Sequence, residues 1–464
     1  MTPVAGIDSS TQSCKVVVCD AESGRVLRTG SSAHPAGTAV DPERWWDALV
    51  RAVDEAGGLD DVAAVSVGGQ QHGMICLDDS GRVVREALLW NDTRSADAAT
   101  HLVSDLGGPE RWVDEVGVVP VAAITAAKLR WLADHEPHHA DATAAVCLPH
   151  DWLTWRLRGS SDLAALTTDR SDASGTGYFS ARTTTYRTDL LELALRGRSP
   201  HLPEVAEPDA TVGRTASGAI VGPGAGDNAA AALGLVAEPG DCVVSLGTSG
   251  VVSAVTNTAP RDPGGLVAGF ADATGRQLPL VCTLNGAPVL AATASSLGVD
   301  LSTFSELALS AEPGAGGLVL VPYLNGERSP NLPAASGSLH GITSDNFIPA
   351  NVARAAVEGL LCSLVTCMEY ILAQGTAVHR VILIGGGARS SAVQRIAPSL
   401  FGRPVTVPSA AEYVALGAAR QAAWAYSATL PDWRSADRAE FTAPATPEVV
   451  DRYRDAAELT LTRR

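Results

Sequence analysis

Val4-Ala5-Gly6-Ile7-Asp8-Ser9-Ser10-Thr11-Gln12-Ser13-Cys14-Lys15-Val16-Val17-Val18 is an apolar run, a small polar turn and a second apolar run. Cys242-Val243-Val244-Ser245-Leu246-Gly247-Thr248-Ser249-Gly250-Val251-Val252 repeats the pattern past the middle of the chain. Val381-Ile382-Leu383-Ile384 then runs into a third small-residue turn, Gly385-Gly386-Gly387-Ala388. Short β-branched runs bounded by Ser, Thr and Gly predict strands joined by tight turns. Such turns expose backbone N–H groups and hydroxyls to which an anion can bind. A pattern that recurs at long spacing predicts two copies of one structural unit.

The residues around the first hairpin extend the unit. Val26–Thr29 reads as a third strand. A helix follows, with Asp41 as N-cap, Pro42 in the first turn, an apolar face of Trp45, Trp46, Leu49, Val50 and Val53, and Gly57-Gly58 as its stop. Val62–Val67 predicts a buried strand, and Met74–Leu77 returns as another after the loop Gly69-Gln70-Gln71-His72-Gly73. Three strands, a helix and a further strand predict an α/β unit of ribonuclease-H-like type. Residues 90–215 are more helical and polar and read as insertions that build one side of a cleft. From 241 the unit restarts, with a long helix from Pro349 to Gln374, a strand at 381–384, a helix at 391–401, a strand at 405–407 and a small-residue helix at 412–426. The expected division is 1–236 and 237–464, with 447–464 as a surface helix.

Composition bounds the function. Of 464 residues 46% are hydrophobic and 18% charged, a globular composition. The net charge of -17, from 34 basic and 51 acidic side chains, argues against nucleic acid or an anionic membrane as partner. It leaves room for an anionic cosubstrate, since glycine amides, helix N-termini and Mg²⁺ bind phosphate without a basic surface. The eight cysteines show no C-x-x-C spacing and no zinc-like clustering, so buried, reduced thiols and a cytoplasmic setting are expected. No signal peptide and no membrane span are expected either.

Four stretches carry candidate chemistry. Ser245–Gly250 is a phosphate turn or an ordinary glycine hairpin; two companion turns favour phosphate. Asp8 ends a buried strand, where an unpaired carboxylate is costly, so it either holds Mg²⁺ or caps the turn. Gly226-Asp227-Asn228 opens an alanine-rich stretch, and Asp227 fits either a helix cap or a general base held against a hydroxyl. Gln70-Gln71-His72-Gly73 places amide and imidazole groups on a loop after a buried strand, where ligands of α/β proteins sit.

With these motifs in order, the chain resembles the FGGY family of carbohydrate kinases over nearly its whole length, and within it the xylulokinases. The resemblance is carried by Gly6-Ile7-Asp8, Gly69–Gly73, Leu89-Trp90-Asn91-Asp92-Thr93-Arg94, Thr125-Ala126-Ala127-Lys128-Leu129, Leu148-Pro149-His150-Asp151, Ser171-Asp172-Ala173-Ser174-Gly175-Thr176 and Gly226-Asp227-Asn228-Ala229. The second half adds Ser245–Gly250, Pro322-Tyr323-Leu324-Asn325-Gly326-Glu327-Arg328 and Gly385–Arg389. It implies two ribonuclease-H-like domains of actin-like ATPase type flanking a central cleft. It also implies ATP- and Mg²⁺-dependent phosphorylation of a ketopentose, D-xylulose, at its terminal hydroxyl. Kinases of ribulose, gluconate or glycerol are the alternatives in the same class, and a non-catalytic ATPase or sugar sensor outside it. By the same resemblance Asp227 is the catalytic base and Asp8 the metal-associated aspartate. Gln71, His72 and Asn228 meet the sugar. Ser10, Thr11, Gly247 and Thr248 meet phosphate, and Gly386, Gly387 and Ala388 the adenosine. Small-molecule sugar and ATP are the expected partners, compatible with a homodimer. Glu327-Arg328 is expected to form a structural ion pair. Two positions depart from the family. Its first tip usually reads Leu-Gly-Thr-Ser-Gly, so hydroxyls of Ser10, Thr11 or Ser13 are expected to replace glycine amides here. Gln71 stands where Met is common.

Overall fold

The computed structural model describes residues 1–434 and 437–462. It forms two compact units. The first comprises Met1–Ala237, Arg261–Leu278 and Ala411–Arg434; the second comprises Glu238–Pro260, Pro279–Ala410 and the chain beyond Arg434. The expected single cut at 236/237 and these units therefore differ in two segments, both returned to the first unit.

In the first unit β1 (Pro3–Ser9) pairs antiparallel with β2 (Ser13–Asp20), which pairs antiparallel with β3 (Val26–Ala33). On its other side β1 pairs in parallel with β4 (Ala64–Gly69), and β4 with β5 (Ile220–Val221). The spatial order is thus third, second, first, fourth, fifth. A short strand β6 (Ala225–Gly226) also lies beside β4, pairing Gly226 with Gly69. It runs directly into helix α2 (Asp227–Gly234). Helix α1 (Pro42–Glu55) begins at Asp41, whose carboxylate accepts from the Glu43 amide at 3.0 Å. Its buried face is Trp45, Ala48, Leu49 and Ala52. Val50, expected on that face, is exposed, because a 3.6-residue period turns it away from Trp45 and Leu49. Ile75–Leu77 leaves the main sheet and pairs with Ala145–Cys147.

The second unit repeats the order. β7 (Asp241–Leu246) pairs antiparallel with β8 (Gly250–Ala254), and β8 with β9 (Gln277–Cys282). After helix α3 (Pro349–Ala373), β10 (Arg380–Ile384) lies parallel to β7. After helix α4 (Ser391–Phe401), β11 (Val405–Pro408) lies parallel to β10. Both units therefore share the expected ribonuclease-H-like topology. Helix α3 corrects the expectation that no stretch approaches a membrane span: by length and composition it qualifies, but 78% of its apolar window is buried inside the protein. It also carries a buried ion pair, Arg354 Nε to Glu358 Oε1 at 2.6 Å, satisfied within one turn.

Helix α5 (Tyr413–Ser427) follows β11 in sequence yet packs into the first unit. Its small residues explain this. A Cβ on Gly6 would lie 1.9 Å from the Ala415 carbonyl oxygen, and one on Gly417 would lie 1.8 Å from that of Ala230. Only hydrogen on these α-carbons allows α5 to touch β1 and α2 backbone to backbone. Gln421 is buried there and links Ser66 Oγ at 2.6 Å with the Gly224 amide at 3.0 Å. Helix α6 (Pro447–Thr462), expected at the surface, buries Val449, Val450, Tyr453 and Ala456 on one face.

Among the described contacts Glu327 forms no ion pair with the Arg328 guanidinium, although its Oε1 accepts from the Arg328 backbone amide at 2.7 Å. It is buried, and its carboxylate accepts from the Leu284 amide at 2.6 Å and from Asn285 Nδ2 at 3.0 Å. Two donors on a neighbouring loop and the Arg328 amide satisfy it in place of a partly exposed guanidinium. All eight cysteines are free, and only Cys282 is not fully buried.

Candidate active site

Parallel pairing decides where the first group of candidate residues lies. Asp8 sits opposite Gly68 and Ser9 opposite Gly69 in the β1–β4 register, while Gly226 sits opposite Gly69 in the β4–β6 register. The turn after β1, the loop after β4 and the start of α2 therefore leave one edge of the sheet together. This carboxyl edge is where open α/β sheets bind ligands.

Asp227 is the first residue of α2 and is part-buried. Its Oδ1 accepts from the Asn228 amide at 2.8 Å and from Asn228 Nδ2 at 2.9 Å. Oδ2 is left as the basic oxygen. Burial, reinforced by the negative charge of Asp8, pushes its pKa up to about 7, against the pull of the Asn228 donors. A carboxyl poised near neutral pH can take a proton from a hydroxyl. Asn228 Nδ2 also reaches Gln71 Oε1 at 3.5 Å, so Asp227, Asn228 and Gln71 adjoin.

Asp8 is buried, and burial raises its pKa to about 6 in spite of the Ser10 hydroxyl bonded to it and the nearby charge of Lys15, which itself pairs with Glu412 at 2.5 Å. Ser10 thus spends its hydroxyl proton on Asp8 Oδ1. Thr11 does not: its Oγ1 accepts from the Trp90 indole N–H at 2.8 Å and keeps its own proton. The carbonyl of Ser10 meets His34 Nδ1 at 2.9 Å, and the carbonyl of Gln12 accepts from the His34 amide at 2.9 Å. The glycine-poor tip is therefore braced from outside by Trp90 and His34. Trp90 lies in a motif that carries the family resemblance and His34 in none, but the bracing role of neither could be read from sequence, since nothing local ties position 34 or 90 to position 11.

Gln71 is buried and donates from Nε2 to the Ser171 carbonyl at 3.2 Å. His72 adopts φ 70°, its Nδ1 lies 2.8 Å from the Gly175 carbonyl, and its ring packs on Phe270 at 5.3 Å. Nδ1 is thereby held in place.

Gly247, Thr248, Gly386, Gly387 and Ala388 all belong to the second unit and form a group of their own. The β7–β8 tip holds Gly247 and Thr248, with Thr248 exposed. Gly385 has φ 91°, and a Cβ on Gly387 would lie 2.5 Å from Leu246 Cγ. These glycines bring the Gly386–Arg389 turn directly against the end of β7, so both turns share one surface. Gly386 is exposed there, while Gly387 and Ala388 are buried.

The structure also reveals a buried ionic cluster that the residues' chemistry alone did not reveal. His150, Asp151 and Asp172 offer ligand atoms within 4.8 Å of one another. Their motifs were visible in sequence, but their convergence was not.

The family's N-terminal domain matches residues 4–234 and its C-terminal domain residues 242–426. The chain belongs to the FGGY family of carbohydrate kinases. The xylulose kinase of Streptomyces rubiginosus is 46% identical over 435 residues, covering 90% of this kinase and 87% of that protein. The xylulose kinase of Escherichia coli K12 is 34% identical over 439 residues, covering 90% and 89%. Among solved structures, xylulose kinase from Bifidobacterium adolescentis has a TM-score of 0.92 and 45% identity, covering 98% of this kinase and 99% of that chain. The actin-like ATPase fold expected from the paired hairpins thus holds for this carbohydrate kinase.

Proposed function

We propose that this kinase transfers the γ-phosphoryl group of ATP to the terminal hydroxyl of D-xylulose, with Asp227 as general base. The observation that carries this reading is the Asp227 carboxyl. One oxygen is fixed by Asn228, the other is free, its pKa lies near 7, and Gln71 is within reach of the same asparagine. The choice of sugar rests on the xylulose kinases to which the chain is 46% and 34% identical.

The steps assigned to this chain's own groups are few. Gln71, His72 and Asn228 orient the sugar by hydrogen bonds. Asp227 Oδ2 accepts the hydroxyl proton as the oxygen attacks phosphorus, which prevents a protonated oxygen from carrying positive charge into the transition state. Thr11 Oγ1, which accepts from the Trp90 indole N–H on one lone pair, has its proton to donate to a phosphoryl oxygen. The Gly247 and Thr248 turn offers amides and a hydroxyl to phosphate, and Gly386, Gly387 and Ala388 an open backbone surface to adenosine. The residues present fit a divalent cation: the negative charge of Asp8 raises the proton affinity of the neighbouring Asp227, and Ser10 leaves Asp8 Oδ2 free. Asp8 would hold Mg²⁺ through that oxygen, directly or through water, and the ion when bound supplies positive charge to the phosphates. The acidic net charge and free thiols support small-molecule partners and a reducing, cytoplasmic setting.

A sugar panel read by coupled ADP release tests the reading. D-xylulose should give the highest kcat/KM among D-ribulose, gluconate, glycerol and D-xylulose. A higher value for one of the others would overturn the choice of sugar, and no sugar-stimulated ADP release would overturn the kinase reading.

A further inference from the structure

Beneath the Gln71–His72 loop lies an ionic knot to which none of the above assigns a role. His150, in the helix Pro149–Leu157, is fully buried. Its Nε2 faces three carboxylate oxygens: Asp169 Oδ1 at 3.2 Å, Asp172 Oδ2 at 3.2 Å and Asp151 Oδ1 at 3.4 Å. All three aspartates are buried, and neither oxygen of Asp172 has a hydrogen bond. One N–H cannot donate to three acceptors, so the cluster is held by charge. Arg170 is the other cation near Asp169, but its guanidinium is spent on the carbonyls of Arg276 and Ala181 and on Thr184.

The knot is connected to the proposed site by short bonds. Asp169 caps the four-residue helix Arg170–Ala173 by accepting from the amides of Ser171 at 2.8 Å and Asp172 at 3.0 Å. From that helix the Ser171 carbonyl accepts from Gln71 Nε2 at 3.2 Å. The Ser171 hydroxyl accepts from the Gly226 amide, next to Asp227, at 3.0 Å. Just beyond it, the Gly175 carbonyl meets His72 at 2.8 Å. His150 also abuts the two backbone turns directly. A Cβ on Gly69 would lie 2.8 Å from His150 Cβ, and one on Gly224 would lie 2.6 Å from Nδ1.

We propose that His150, caged by Asp151, Asp169 and Asp172, is a positioning residue whose positive charge fixes the Ser171 strut and through it the sugar-facing Gln71 and His72 and the Asp227 carboxylate. The surrounding carboxylates outweigh burial and push the imidazole pKa up to about 10, so the ring is charged at neutral pH. A neutral ring would remove the positive charge that faces this acid cluster, in which burial already pushes Asp151 up to about 6 and Asp172 well above the ordinary carboxylate range, and the helix that Asp169 caps would shift to let water in. Displacement of about 1 Å at a reacting group can cost roughly 10²-fold in rate.

The inference rests on the reading of Asp227, Gln71 and His72 above, and its test is independent of which sugar wins the panel. Full-length His150→Gln, His150→Lys and Ser171→Ala are compared with the parent, using the best sugar found and normalising to folded protein. The expected result for His150→Gln is a roughly 10- to 100-fold lower kcat/KM for sugar, while KM for ATP moves less than about twofold. His150→Lys, which keeps the cation, should recover most of the loss. Ser171→Ala, which keeps the knot and the Gln71 bond to the Ser171 carbonyl but removes the hydroxyl that holds the Gly226 amide beside Asp227, should show a sugar-selective loss with little change in melting temperature. This variant serves if His150→Gln fails to fold. Equal loss in His150→Lys and His150→Gln would overturn the role of charge, and unchanged sugar kinetics in Ser171→Ala would overturn the arm of the strut that runs through Gly226 to Asp227. A metal ion retained stoichiometrically by the purified parent and lost in His150→Lys would overturn the proposal in favour of a metal centre.

Discussion

At the residue scale the central feature is a pair of carboxyls, Asp8 and Asp227, both titrating above the ordinary carboxylate range, at about 6 and about 7. The proposed base must be ionised to work, so kcat/KM for sugar should rise with pH through about 7 and level above it. A flat profile from pH 5 to 8 would remove Asp227 from proton transfer. Asp227→Asn keeps the shape and loses the base, so kcat should fall roughly 10²- to 10⁴-fold with ATP binding little changed. The linkage runs in a defined direction. A group with a raised folded-state pKa binds more protons folded than unfolded, so its contribution to stability falls as pH rises from about 4 to about 7. The same Asn variant, measured without Mg²⁺ at pH 8, should therefore melt at or above the parent temperature; a clearly lower melting point would show that the carboxylate is satisfied in the fold. Asp8→Ala should raise the Mg²⁺ concentration for half-maximal rate and lower turnover, read from a Mg²⁺ titration of initial rates. Unchanged metal dependence would return Asp8 to capping the turn through Ser10.

At the element scale the decisive contact is that of α5 with α2 and β1. Glycines at 6, 234 and 417 let backbones meet where any side chain would overlap, with a Cβ on Gly234 only 2.2 Å from the Tyr413 carbonyl oxygen. Because the obstacle is backbone, it cannot rotate aside. Gly417→Ala should cost more than the roughly 1–3 kcal/mol of ordinary overpacking, although alanine favours helix elsewhere. Urea denaturation measures this, and a loss under about 1 kcal/mol would mean that α5 packs more loosely than the distances state. The first hairpin offers a second lesson at this scale. Its tip lacks the glycines usual in the family, and the rigidity comes from Trp90 and His34 on distant segments.

At the scale of the whole molecule the first compact unit is discontinuous in sequence. A fragment ending at 236 lacks Arg261–Leu278 and α5, and so exposes β1, β4 and α2 where α5 covers them. Such a fragment should fail to unfold cooperatively and should bind a hydrophobic dye; a sharp thermal transition with native-like near-UV dichroism would contradict this. The strands of both units, the hairpin turns and the helix caps could be read from the chain, because strand alternation, Ser/Thr/Gly turns and an Asp41-Pro42 start are set by neighbours in sequence. Asp8, Gln71, His72, Asp227 and the two glycine turns could be singled out for the same reason, each ending or following a readable strand. Unlike the burial of α3, which follows from a helix apolar nearly all round, the return of α5 to the first unit, the bracing of Thr11 by Trp90 and the cage around His150 could not. Each depends on which distant surfaces meet, and that is decided by close packing and by the cost of burying charge, neither of which leaves a periodic mark in the sequence.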